Sequence, residues 1–82
     1  MADKTHHVFD QMPEYRHLIR ERMRVDPEFC LLCEDYGEAF EALRHWEDCT
    51  ASHRAERIAE FRRLVGDLEA EILAELGARR RG

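Results

Sequence analysis

Helix breakers are scarce in this 82-residue chain, with two Pro and four Gly. So few of them leave room for few turns and favour long helices. Cysteine occurs three times, an odd number without the spacing of a disulfide framework. Reduced thiols in a bacterial-type cytoplasm are the expectation. No apolar run reaches the roughly eighteen residues that a membrane span needs. The opening MADKTHHVFD lacks the apolar core of a signal peptide. Gly-rich phosphate loops, nucleophile elbows and carboxylate pairs in an identifiable pocket are all missing. Small helical domains without a cleft rarely catalyse, so neither an enzyme nor a cofactor is expected. A formal charge of −5 disfavours a general nucleic-acid binder.

What is present is a folding sequence with a wet exterior, 44% apolar and 38% charged. Its size allows a single small domain that hides a modest share of its surface. All but one of its thirteen basic residues are Arg. That bias fits chosen carboxylate or phosphate contacts, but codon usage in a GC-rich genome is the favoured reading.

The fold class is all-α. Residues 1–9 read as a flexible tail, and His6 and His7 as solvated. A first helix is expected over 10–24, beginning at Asp10 or Met12, with Asp10 able to cap and Pro13 in the first turn. Met12, Tyr15, Leu18, Ile19 and Met23 form its apolar stripe. Its other face carries Arg16, Arg20, Arg22 and Arg24. Val25-Asp26-Pro27-Glu28 is the clearest punctuation. Pro27 disfavours the helical conformation at Asp26, which then serves as N-cap. A second helix follows over 26–49, with Phe29, Leu32, Cys33, Tyr36, Ala39, Phe40, Leu43 and Trp46 at coiled-coil-like steps. After a tight connection capped by Thr50 or Ser52, a third helix spans 52–76 through Ile58, Phe61, Val65, Leu68, Ile72 and Leu76. Gly77 suits the position after its end. Residues 78–82 form a basic C-terminal tail.

A short loop makes the two long helices antiparallel neighbours. Counting outward from it places Trp46 level with Ile58, Tyr36 with Leu68, and Gly37 opposite Gly66. The glycine pair suggests close backbone approach or room for a ring, and two merely tolerated glycines are the alternative. Helix two is acidic and helix one basic, an internal complementarity that orients them more than it stabilises them. The first helix is short and covers only residues 26 to 40 of the hairpin. Phe40, Leu43, Trp46, Ile58 and Phe61 are therefore expected to stand exposed and to drive association. A homodimer closing a four-helix bundle is the simplest solution, and its rival is a monomer in which helix one lies along the whole hairpin.

Candidate chemistry is thin. Cys30 and Cys33 share a helical face, at a spacing that permits a disulfide or two metal thiolates. Cys30 is nevertheless four residues into the helix, and Glu28, Glu34 and Asp35 disfavour a thiolate. Cys33 also fits the core stripe, so the pair reads as packing. His45, Cys49 and His53, spaced by four and four, offer a second ligand set that the loop interrupts. They lie roughly 24 Å from Cys30 along the helix, too far for one joint site within a chain. No metal is therefore expected. His17 falls level with Glu34 or Cys33. The terminal RRRG reads as a solvated tail that caps its helix.

MPEYRHLI (Met12–Ile19) followed by DPEFCLLCEDY (Asp26–Tyr36) resembles the YdcH-like family of small bacterial proteins, or a sister group of it. That family tends to show F-P-E-Y-R-x-L-I, then an Asn- or Asp-Pro-x-Phe-x-x-Leu step, then a helical hairpin. Pro13, Glu14, Tyr15, Arg16, Leu18 and Ile19 match the first part, and Asp26, Pro27, Phe29 and Leu32 the second. Cys30, Cys33, Gly37 and Trp46 depart from the pattern. The resemblance covers about residues 12 to 46 and implies a hairpin with a short leading helix; it carries no activity or cofactor. The function expected is that of a non-enzymatic, cytoplasmic interaction protein that self-associates and presents Tyr15 and Arg16, or its acidic helix, to a partner. A metal- or redox-responsive protein using Cys30, Cys33, Cys49 and the nearby His is the alternative. RNA or membrane-surface contact through the Arg-rich segments is a weaker one.

Overall fold

The computed structural model describes residues 4–77. The terminal RRRG therefore lies outside the described residues. Four helices appear in chain order, with no strand among the described residues: α1 (His6–Gln11), α2 (Arg16–Val25), α3 (Pro27–Asp48) and α4 (Arg54–Glu75), with a 3₁₀ turn at Pro13–Tyr15. The two long helices, α3 and α4, form an antiparallel hairpin, and α1 and α2 both pack on α3. No helix is long and apolar enough to cross a membrane among the described residues.

Local chemistry explains the boundaries. Asp26 is extended, with φ −135° and ψ 96°, and its carboxylate accepts from the amides of Glu28 and Phe29 at 3.1 and 3.2 Å. Pro27 follows as the first helical residue, where its missing N–H is harmless. The same rule acts at Pro13. Met12 leaves the helical region at φ −131° and ψ 60°, because a residue before proline avoids it. The expected helix over 10–24 is thus divided, and Asp10 lies inside α1 instead of capping a helix. Thr50 and Ser52 do not cap α4. His53 holds the N-cap position without a side-chain bond. Arg54 instead reaches back to the carbonyls of Trp46 and Glu47 at 3.3 and 2.6 Å, satisfying the end of α3. Gly77 takes φ 78° just past α4, a left-handed conformation that glycine adopts without a Cβ penalty.

The expected N-terminal tail is the largest departure. Val8 is fully buried, Met12 and Thr5 are nearly so, and Phe9 packs against the core. Burying a Val side chain is worth roughly 1.5–3 kcal/mol, enough to hold a short helix that could not persist alone. Below it, Ile19, Phe29, Cys33, Tyr36, Val65 and Ile72 form the centre of the core. Gly37 serves this packing and not the hairpin. A Cβ there would sit 2.1 Å from the Lys4 carbonyl oxygen, while one at Gly66 would meet nothing within 4 Å. The close backbone approach is therefore between α3 and the N-terminal segment, and Gly66 takes part in none.

Candidate functional site

The cysteines fall into packing roles. Cys33 is fully buried, and that burial, helped by the neighbouring Cys30 and Glu34, pushes its thiol up to about 12. Cys30 is half-buried and donates its S–H to the Met23 carbonyl at 3.2 Å. A buried protonated thiol beside a thiol tied to backbone offers no nucleophile. At the loop, the His45 and His53 rings flank Trp46, each with centroids 5.6 Å from it. The Cys49 sulfur accepts from the Ala51 amide at 3.4 Å. No grouping of three His, Cys, Asp or Glu suited to a metal occurs among the described residues. His17 and Glu34 are both exposed, and no ion pair joins them among the described residues.

An ionic cluster that the sequence did not reveal holds α1 to α3. Glu41 accepts from Lys4 at 3.0 Å and meets His7 Nε2 at 2.8 Å. These partners, His7 first, hold its carboxyl below the usual carboxylate range. The His7 ring also lies 4.9 Å from that of Phe40. At the opposite end, Arg22 joins Asp26 at 3.0 Å and Glu75 at 2.8 Å, and donates to the Glu75 carbonyl as well. Its guanidinium lies 5.5 Å over the Phe29 ring. Across the middle of the hairpin, the buried Tyr36 donates its hydroxyl to Glu69 at 2.8 Å.

The surface residues sort unevenly. Tyr15 packs against the core, while Arg16 stands exposed. Leu43 is buried within the single chain, which corrects its assignment to an exposed patch. Phe40, Trp46, Ile58 and Phe61 are only partly covered. For Phe40 the cover comes from Tyr36, Arg44 and His7, the last in the segment expected to be loose.

Phe61 belongs to an open groove on the surface. Between α3 and α4 runs a groove of about 470 Å³, open along one side and lined by Asp35, Glu38, Ala39, Ala42, Phe61, Leu64 and Leu68. Small Ala side chains on α3 keep its floor low. Leu64 remains 42% exposed, and Leu31, on the same edge of α3 as Asp35 and Glu38, 58%. A smaller hollow at the base collects Leu18, Val25 and Leu76 beside Glu21 and Arg22. The apolar spacing on helix three announces Phe61 and Leu68, with Leu64 and Leu73 widening the stripe, but Leu31 falls off the main stripe of α3 and carries no separate signal. No family model, curated protein or solved structure matches the chain.

Proposed function

We propose that this chain is a non-enzymatic helical interaction protein whose binding surface is the open face of the α3–α4 hairpin. The observation that carries this reading is the groove lined by Ala39, Ala42, Phe61, Leu64 and Leu68, which α1 and α2 leave uncovered while they close the other side of α3. Apolar side chains left in a continuous groove favour association, since each one buried is worth on the order of 1.5–3 kcal/mol. Two further observations support binding over chemistry. The thiols are packed or tied to backbone, and the ionic groups bridge helices instead of converging on a cavity. The resemblance of Met12–Ile19 and Asp26–Tyr36 to the YdcH-like family agrees with a hairpin and contributes no activity.

The experiment is site-specific photo-crosslinking in living cells. A benzophenone side chain at position 64 faces the groove, and one at position 70 lies on the far side of α4. Discrete adducts from position 64, absent from position 70, are the expected result. Equal yields at both positions, or none at 64, would overturn the reading. A homodimer closing a four-helix bundle is one form of the same proposal, with a second copy laid on this face. Sedimentation over a hundredfold range of concentration reads it directly.

A further inference from the structure

The groove has charged edges that its apolar lining does not account for. On α3, Asp35 and Glu38 form one wall. On α4, Leu64 shares a helical edge with Glu60, Asp67 and Glu71, all of them exposed. Carboxylates therefore stand along both sides of an apolar floor. The cations near these walls are Arg57, Arg63 and Lys4; Arg63 lies one turn from Glu60 and Asp67 and forms no ion pair among the described residues. Arg57, toward the loop end, is engaged by Glu60 at 2.5 Å. Lys4 feels Glu38 but is held by Glu41. Asp35, Asp67 and Glu71 form no ion pair among the described residues.

We infer that this groove binds an amphipathic helix of another protein, one with an apolar stripe flanked on both sides by Lys or Arg. The inference rests on the reading of this face as the binding surface and names what fits it. From Leu31 to Ala42 the α3 edge runs roughly 16 Å, the length of three helical turns. A helix of that length sets three apolar side chains on Ala39, Leu64 and Leu68, which is the helix-in-groove mode of recognition. Its flanking cations then meet the acidic walls on either side. Charge complementarity of this kind selects the partner more than it adds affinity. It also argues against the other occupants. A second copy pairing through the same face sets carboxylates against carboxylates, and a nucleic-acid backbone is repelled by both walls.

The test uses fluorescence anisotropy with a synthetic helix of about five turns, with Leu along one stripe and Lys on both flanks. Two control peptides accompany it. One has the same composition scrambled so that no stripe forms; the other has Glu at every Lys position. The expected result is binding of the first peptide alone, weakening as salt rises, with a gain of helical circular dichroism. Leu64→Ser, Leu31→Ser and the double change Asp67→Lys with Glu71→Lys should each lower its affinity by roughly tenfold, with the protein's own helicity unchanged. Three results would each overturn the inference: equal binding of either control peptide, no loss in the rim-reversed variant, or a stable dimer at assay concentrations that must dissociate before the peptide binds. Specific crosslinks from position 64 without peptide binding would sink only the assigned partner chemistry; absence of those crosslinks removes the surface itself.

Discussion

The Lys4 carbonyl occupies the space that a side chain at Gly37 would need, 2.1 Å from the position of its Cβ. Such an approach lets the backbone of the N-terminal segment lie directly on α3. It places Lys4 and His7 within reach of Glu41, one turn further along the same helix.

Gly37→Ala should therefore detach that segment. Alanine improves helix propensity by ~1 kcal/mol, but losing the burial of Val8 alone costs about 1.5–3 kcal/mol. A lower denaturation midpoint and faster amide exchange over residues 5–11 are the expected outcomes. Gly66→Ala meets open space, so it should raise stability by roughly 0.5–1 kcal/mol. Chemical denaturation of the two variants side by side checks both signs.

Acid should loosen the same contact. The carboxyl of Glu41 is held low, chiefly by His7 and then by Lys4. A depressed pKa means the folded form releases its proton more readily than the unfolded chain. The stabilisation is thus present above the ordinary carboxylate range and lost as pH falls through the folded value. Exchange protection over residues 5–11 should fall with pH in that window, and Glu41→Gln should flatten the profile.

Burial, then the neighbouring Glu69 carboxylate, raises the Tyr36 phenol well above the usual tyrosine range. The folded form keeps a proton that the unfolded chain gives up. The associated stability is full below the ordinary tyrosine value and declines as pH rises above it. Removing the hydroxyl with Tyr36→Phe should cost about 1.5–3 kcal/mol, the range for a hydrogen bond to a charged group. It should also reduce the alkaline sensitivity of the thermal midpoint.

With its thiol pushed up to about 12 and no exposed surface, Cys33 should resist thiol reagents in the native protein and react only on unfolding. Counting reactive thiols before and after denaturant tests this. Rapid native labelling of Cys33 would mean that α3 opens locally near Phe29 and Tyr36.

Much of the hairpin was legible because its signals are local and redundant. Asp26-Pro27 carries both a stop and a cap, and the steps from Phe29 through Leu43 repeat long enough to define a face. α1 was not legible. Six residues give no repeating stripe, and two adjacent His around Val8 read as solvent-facing until a surface exists for Val8 to enter. Pro13 does open a helical turn, the 3₁₀ turn that leads into α2, and what was not legible is that its restraint on Met12, the same one that acts at Asp26, closes a separate helix before it. Gly37 signalled a close approach, but only the fold could say that its partner was Lys4. The candidate surface was half visible. Phe61 and Leu68 follow the apolar period, whereas the exposure of Leu64 and Leu31 depends on which side of α3 the N-terminal helices choose. Leu43 shared the stripe of the exposed residues and yet sits beneath them.

Arg22 binds Asp26 beside it in sequence and Glu75, 53 residues away, with one guanidinium. Glu75 lies in the last turn of α4. During synthesis the joint between α2 and α3 can acquire its Asp26 cap early, while its second anchor awaits nearly the whole polypeptide. The latch can therefore close only near the end of synthesis. A chain halted or clipped before residue 75 keeps its punctuation at Asp26-Pro27 and loses the brace that fixes the angle there.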